Sequence, residues 1–228
     1  MKRKRYLVSV LILTLAILAH SQSVLKPNYG LKSHETLEIL KIETTAGTTV
    51  VYLTVENRIE KGSFCADKNI YIVDQTGVKL KLLKASAIPV CPESYRFKSI
   101  GEKLDFRLTF PVLKSGNECV DLIEECSDNC FSFYGIVLDK NLNRELDEAF
   151  SLAEGGQSLQ ALEKFISLAE DNQNRNGITA LLYFNIVKLA YETGNKVKAG
   201  EWYRKLNSPG VPGGRIYIEQ LNLLGIRY

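Results

Sequence analysis

The residues of this chain whose type and spacing could do chemistry are its cysteines. They number five and are Cys65, Cys91, Cys119, Cys126 and Cys130. A zinc site usually takes Cys-x2-Cys pairs or nearby histidines, and a redox site takes Cys-x-x-Cys at a helix start. The last three cysteines instead follow the spacing Cys-x6-Cys-x3-Cys, and His34 lies far from them in sequence. We therefore predict no metal site and no cofactor.

The N-terminal residues have the pattern of a secretory signal peptide. Basic residues at 2–5 precede an apolar run at 6–19, and we expect cleavage after Ser21. The apolar run is shorter than the roughly 18 residues of a spanning helix, so an uncleaved membrane anchor is only the alternative. The sequence therefore predicts a signal peptide at 1–21 and an exported protein with no membrane span after cleavage.

Removal of residues 1–21 changes the charge of the chain. Four basic residues and no acidic residue leave with that segment, so the 29 Lys and Arg residues fall to 25, against 26 Asp and Glu residues. A mature chain without excess positive charge has no global electrostatic attraction to nucleic acid or to an anionic membrane. We expect neither of them as a partner.

Export would bring the cysteines into an oxidising compartment, where they usually pair. Cys65 precedes a predicted strand and Cys91 follows the hairpin partner of that strand, so both belong at one end of the pair. Cys126 and Cys130 face each other across a short predicted turn. We predict the disulfides Cys65–Cys91 and Cys126–Cys130, with Cys119 free and buried. Other pairings are compatible with the spacing alone.

Motifs of catalysis are missing from the sequence. It contains no Gly-x-Ser-x-Gly, no His-Glu-x-x-His, no phosphate-binding glycine loop and no EF-hand loop. Glu124, Glu125 and Asp128 could bind calcium together, but a solvated acidic edge is the more frequent meaning of such a cluster. We predict that the protein is not an enzyme and has no catalytic residues.

Residues 36–139 have the pattern of an antiparallel β-sandwich. Residues 103–110 alternate strictly between apolar and polar side chains, as a half-buried strand requires. Runs of β-branched and aromatic residues predict further strands at 50–56, 70–73, 78–83, 120–124 and 131–138. About seven short strands separated by turn residues are typical of a sandwich. We predict that a linker at 22–35 precedes this domain.

The end of the β-region carries a resemblance to a known type of domain. The sequence Phe110-Pro-Val-Leu, a short loop and Val120-Asp-Leu-Ile-Glu-Glu form its last predicted hairpin. In this pattern the region resembles the immunoglobulin-like β-domains of exported Bacteroidetes-type proteins of unknown function. The only tryptophan, Trp202, lies outside the region, so the likeness is to the architecture and not to antibody domains. The resemblance implies the periplasm, the cell surface or the exterior of a Gram-negative bacterium.

After Asp139 the apolar period changes from two to about 3.6, which predicts a helical domain over 140–228. Two stretches of this domain match in residue class: Gly156, Ala161, Phe165 and Leu168 correspond to Gly194, Ala199, Tyr203 and Leu206. At these positions both stretches resemble tetratricopeptide repeats, whose usual period is about 34 residues. A generic array of helical hairpins is the alternative. Residues 216–224 are predicted to form a capping helix.

The resemblance to tetratricopeptide repeats implies that a protein or peptide binds in the groove lined by the first helix of each pair. Carried over to this sequence, the groove positions are Asn143, Leu146, Phe150, Leu181, Phe184, Lys188, Tyr191 and Glu192. We predict that Asn143, Phe184, Lys188, Tyr191 and Glu192 bind the partner. The alternative is that the β-domain or the C-terminal tail fills this groove.

These patterns together predict an α+β protein of two domains, an immunoglobulin-like antiparallel sandwich followed by a tetratricopeptide-like helical array. The predicted function is that of a non-enzymatic protein interaction or assembly module. The alternative is a carbohydrate-binding accessory protein or a secreted enzyme with its site in the sandwich loops. Exposed aromatic side chains would favour that alternative, and the residues concerned are Tyr95, Phe97, Phe131, Phe133 and Tyr134.

Overall fold

The computed structural model describes residues 22–171 and 178–228. The predicted signal peptide, residues 1–21, lies outside the described residues, as do residues 172–177 between the two predicted repeats. Within the described ranges the chain forms two five-stranded sheets, a small two-stranded sheet and five helices. None of these helices is both long and apolar enough to cross a membrane.

The strands all lie before residue 138. They are β1 (Gln22–Leu25), β2 (Leu31–Lys32), β3 (Leu37–Thr44), β4 (Thr48–Glu56), β5 (Ser63–Phe64), β6 (Ile70–Asp74), β7 (Lys79–Lys81), β8 (Lys84–Ser86), β9 (Tyr95–Arg96), β10 (Lys103–Pro111), β11 (Cys119–Glu124) and β12 (Ser132–Val137). Sheet A has the order β1-β3-β4-β10-β8 and sheet B the order β2-β12-β11-β6-β7. Neighbouring strands are antiparallel in both sheets.

Strand β10 confirms the alternation seen in the sequence. Its apolar residues are buried, and Lys103, Asp105 and Arg107 between them are exposed. Phe106 lies opposite Leu53 of β4, and both side chains belong to a core formed by residues of sheets A and B. Because successive side chains of a strand point to opposite faces, this one core leaves a polar outer face on sheet A.

Two predictions for the β-region are wrong. The predicted linker at 22–35 instead contains β1, which pairs with β3, and β2, which pairs with β12. These strands are too short to show a period in sequence. The predicted strand at 78–83 is divided, because β7 ends in sheet B and the Leu83 amide then donates to the Thr109 carbonyl of sheet A, at 2.8 Å.

The helices follow as the apolar period predicts. They are α1 (Lys140–Glu154), α2 (Ser158–Asp171), α3 (Thr179–Glu192), α4 (Lys196–Leu206) and α5 (Gly214–Leu223). The Asp139 side chain caps α1 by accepting a hydrogen bond from the Leu142 amide at 2.7 Å. Helix α3 contacts α2, α4 and α5, so it lies at the centre of the helical array.

The helical array packs against the outer face of sheet B. Cys119 of β11 and Val137 of β12 are buried in the same apolar cluster as Leu146, Leu181 and other helical residues. These two strand residues lie directly opposite each other in the ladder, so they occupy one face of the sheet. The β-region and the helices are therefore joined by a shared core.

Both predicted cysteine pairs lie at disulfide distance. The sulfur atoms of Cys65 and Cys91 are 2.02 Å apart, and those of Cys126 and Cys130 are 1.98 Å apart. Cys119 is free and buried, as predicted. Burial raises the pKa of its thiol to about 12, so this thiol stays protonated and unreactive at neutral pH.

Candidate functional site

Asn143, one of the predicted groove residues, is not accessible to a partner. Its side chain is only 8% exposed. The side-chain oxygen accepts a hydrogen bond from the Asn28 amide at 2.7 Å, and the side-chain nitrogen donates to the Val137 carbonyl at 2.9 Å. Asn143 therefore fastens α1 to the β-region, and its assignment to partner binding is wrong because its polar atoms already have internal partners.

Helix α5 covers Phe184, another of the predicted groove residues. The rings of Phe184 and Tyr217 are 5.2 Å apart, and the Tyr217 hydroxyl donates a hydrogen bond to the Gly30 carbonyl. Leu146 and Leu181 are buried in the helical core. The chain thus fills this part of the groove with its own α5 and with the segment before β2.

The remaining groove residues lie at the C-terminal end of α3, away from Asn143. Lys188 and Glu192 form a solvent-exposed ion pair with 3.9 Å between nitrogen and oxygen. The Lys196 ammonium lies over the Tyr191 ring. Exposed ion pairs of this kind contribute little to the free energy of folding. These contacts bring no other predicted groove residue to the C-terminal end of α3.

Most of the aromatic residues that would favour sugar binding are not exposed. Phe97, Phe131 and Phe133 are buried in the β-core, and Phe131 stacks on Phe64. Tyr95 donates a hydrogen bond to Glu102 at 2.6 Å. Only Tyr134 of the predicted set is exposed, and it lies on the outer face of sheet B.

The acidic residues near the Cys126–Cys130 turn are also engaged within the chain. Glu124 is buried, and its two carboxylate oxygens accept hydrogen bonds from the amides of Asp67 and Phe131 at 2.7 and 3.0 Å. Glu125 pairs with Lys79. Among residues 22–171 and 178–228 no group of three or more His, Cys, Asp or Glu side chains could hold a metal ion.

A cleft opens where α5 meets sheet B, and we call it the junction cleft. Its volume is about 250 Å³. Its walls come from both parts of the chain and consist of Leu31, Asp121, Tyr134, Pro212, Gly213, Ile216 and Tyr217. The cleft is therefore a property of the assembled fold, since neither the sheet nor the helix alone would form it.

Two glycines shape the start of α5 beside this cleft. Gly213 caps the helix in the left-handed conformation, with a φ of 73°, and lies against Leu31. A Cβ atom on Gly214 would lie 2.6 Å from the Leu206 carbonyl oxygen, so no larger residue fits at that position. The bond from Tyr217 to Gly30 then fixes the helix against the segment that leads into β2.

The floor of the junction cleft carries one carboxylate, that of Asp121. The β11–β12 ladder is irregular at this point, and Asp121 Oδ1 accepts a hydrogen bond from the Gly135 amide across the irregularity at 2.7 Å. Burial raises the pKa of Asp121, because the charged form is partly removed from water. Among the residues that line the cleft it is the only one with a charged side chain.

The rim of the junction cleft is apolar. Tyr134 of β12 is 37% exposed and Ile216 of α5 is 46% exposed. On the sheet side the surface continues through Val73, which lies directly opposite Asp121 in the β11–β6 ladder. Exposed apolar side chains around a concave polar point are typical of interaction sites.

Comparison with known proteins gives no match. No protein-family model matches the chain, and neither does a curated protein or a solved structure.

A second, larger pocket lies near β1, with a volume of about 600 Å³. Gln22, Val24, Leu113 and Lys140 form part of its wall. The junction cleft combines exposed apolar side chains with one partly buried carboxylate, and we therefore place the candidate site there.

The sequence patterns did not indicate Asp121, Ile216 or Tyr217 as site residues. A weak signal was available, because β12 carries apolar or aromatic residues at positions of both faces, as a strand covered on both sides does. The glycine and proline residues at 209–214 indicated a tight approach to α5. Neither signal identifies which side chains of the other region would meet there.

Proposed function

We propose that this chain is an exported, non-enzymatic binding protein whose partner docks at the junction cleft. In this proposal an immunoglobulin-like sandwich and a tetratricopeptide-like array act as one unit. The observation that carries it is the cleft itself, in which Tyr134 from the sheet and Ile216 from α5 present exposed apolar side chains on opposite walls. A partner that contacts both walls would bind only the correctly assembled fold.

The proposal moves the docking surface away from the repeat groove. The part of that groove near Asn143 and Phe184 is occupied by contacts within the chain, namely those of Asn143 with Asn28 and of Tyr217 with Gly30. A partner peptide in that part would have to displace both contacts and leave buried polar groups without partners, which costs about 1–3 kcal/mol for each group. The junction cleft needs no such rearrangement.

Export is part of the same proposal. The basic and apolar segments before Ser21 support it, as do the two cysteine pairs at disulfide distance, because disulfides persist in oxidising compartments. A protein or peptide partner in that compartment is the expected ligand.

Site-specific photo-crosslinking tests this function. A photoreactive phenylalanine analogue replaces Tyr134 or Ile216 in the full chain, expressed in an exporting bacterial host. Matched controls carry the analogue at Tyr52, on the outer face of sheet A, and at Tyr191, in the predicted groove. We expect one adduct of constant mass from positions 134 and 216 and none from positions 52 and 191. Adducts from position 191 alone would show that the partner docks at the predicted repeat groove and would contradict docking at the junction cleft.

A further inference from the structure

The junction cleft carries an unused hydrogen-bond acceptor. One oxygen of the Asp121 carboxylate accepts the Gly135 amide. Within residues 22–171 and 178–228 the other oxygen has neither a hydrogen bond nor an ion-pair partner, and Asp121 forms no salt bridge there. A partly buried carboxylate with a free lone pair attracts a charged donor, because a counter-charge offsets the loss of water around it.

The walls around this acceptor suit the stem of a long cationic side chain. Tyr134 and Tyr217 contribute aromatic rings, and Leu31, Pro212 and Ile216 contribute apolar surface. Lysine and arginine place their methylene stems along apolar surface while the charged head group reaches a polar point. A cation beside tyrosine rings gains a further attraction to the ring faces.

From this arrangement we propose that the junction cleft binds one arginine or lysine side chain of the protein partner, with Asp121 as its counter-charge. This inference rests on the proposed function, since it names the chemistry of the partner at the same site. An anionic group would be repelled by the Asp121 carboxylate. A purely apolar group would fill the walls and leave the carboxylate more desolvated and still unpaired.

The size of the cleft favours a side chain over a free small molecule. Its volume of about 250 Å³ lies below the roughly 300–1,000 Å³ of pockets that enclose small ligands. A single side chain that projects from a larger partner needs less space, and the apolar rim at Tyr134 and Ile216 would contact the residues on either side of it.

The surface beyond the cleft limits the number of positive charges that the partner segment can carry. Tyr71 lies on the same face of sheet B as Asp121, because Tyr71 pairs with Ile123, two positions further along β11. Lys79 and Lys81 have their ammonium groups 5.1 and 6.0 Å from the centre of the Tyr71 ring. A second cation placed there would meet like charge, so the expected partner segment has one basic residue among apolar neighbours.

Nuclear magnetic resonance titration tests the inference with n-butylguanidinium, which mimics an arginine side chain. The reporter is the amide signal of Gly135, because this amide donates to Asp121. We expect a saturable shift with n-butylguanidinium and at least roughly tenfold weaker binding of the neutral n-butyramide, as the loss of a charge-assisted hydrogen bond implies. Equal binding of the two compounds would overturn the proposal.

Asp121→Asn is the informative variant, because its side-chain oxygen can still accept the Gly135 amide while the charge is removed. We expect the guanidinium shift to disappear in this variant and to persist in Asp105→Asn, whose residue lies on the outer face of sheet A. Persistence of the shift in Asp121→Asn would contradict the role of Asp121. Loss in both variants would show that the effect is not specific to the cleft and would equally contradict it.

Photo-crosslinking separates this inference from the proposed function. Adducts at position 216 that are lost with Asp121→Asn support both. Adducts that survive Asp121→Asn support docking at the cleft and overturn the basic side chain as its ligand. If n-butylguanidinium binds but position 216 gives no adduct, the cation chemistry is supported and the docking function is wrong.

Discussion

Sheets A and B have the same number of strands but differ in what lies on their outer faces. On sheet A the outward residues of β10 are charged and exposed. On sheet B the residues 135–138 at the end of β12 are all buried, whichever face they point to. The first sheet therefore has one buried face and the second has two, at least where the helices cover it.

The difference between the outer faces of the two sheets also indicates where a partner would bind. The centre of the outer face of sheet A is occupied by its own polar network, in which Lys41 and Tyr52 both contact Glu43 at 3.1 Å. The outer face of sheet B is apolar where Cys119 and Val137 meet the helices, and α5 leaves the junction cleft at the margin of the area it covers. Apolar surface beside an incomplete cover is the place where a partner gains most from contact.

The largest expected effect comes from placing a charge under the helical cover. Val137 is fully buried between sheet B and the helices, so Val137→Asp should lower the free energy of unfolding by about 3–5 kcal/mol. Arg107→Asp, at an exposed position of sheet A, should lower it by less than about 1 kcal/mol. Urea unfolding followed by circular dichroism measures both values. Similar losses in the two variants would contradict the difference between the outer faces.

The next largest effect is the loss of stability when either disulfide is removed. One of the two disulfides links segments of different sheets. Cys65 precedes β6 of sheet B and Cys91 follows β8 of sheet A, whereas Cys126 and Cys130 close a turn within sheet B. Loop-closure entropy predicts a loss of about 3.5 kcal/mol when Cys65 and Cys91 are both replaced by Ser. The same change at Cys126 and Cys130 should cost about 2 kcal/mol.

Thermal and urea unfolding in oxidising buffer measure the two losses. The control repeats the measurements on both variants and the wild type in reducing buffer. Their difference should vanish there, because neither bridge forms. A larger loss from the Cys126 and Cys130 variant would show that ring size does not determine the contribution of these bridges.

The smallest expected effect is the pH dependence of Asp121. Burial raises the pKa of this carboxyl in the folded chain, so the folded state holds the proton over a pH range in which the unfolded state has lost it. Stability therefore falls as the pH rises from the ordinary aspartate pKa through the raised value. Asp121→Asn lacks this loss, so its stability relative to the wild type should increase over that range and then level off.

Urea unfolding of the two proteins at a series of pH values tests this sign. The matched control is Asp105→Asn, on the open face of sheet A. A stability difference for Asp121→Asn that does not change with pH, or an equal change in the control, would contradict the effect of burial on Asp121.

Much of the local structure could be predicted because its causes are local. The alternation at 103–110 predicts β10, and the change to a helical period after Asp139 predicts α1. Cys65 and Cys91 lie at disulfide distance as predicted, but not as the two ends of a hairpin, because β8, which precedes Cys91, belongs to the other sheet and a bridge between Ala66 and Val90 joins the two segments. For β10 and α1 the deciding residues are close in sequence.

The groove residues could not be predicted from local sequence patterns. Asn143 occupies a position that the resemblance to tetratricopeptide repeats assigns to partner binding, yet Asn28 hydrogen-bonds to it from a distant part of the chain. The segment 22–35 is too short and irregular to predict either strand or its place in a sheet. Such contacts depend on how whole elements are arranged, and no local pattern encodes them.

The sequence by itself predicted strands such as β4 and β10, the helices and the Cys126–Cys130 pair, because hydrophobic period, turn residues and short-range geometry act locally. Only the tertiary structure decided that the helices cover sheet B and leave sheet A open. It also decided that Asp121 meets Tyr217 and Ile216 in one cleft. These outcomes follow from long-range packing, in which apolar faces far apart in sequence are buried against each other once the elements have formed.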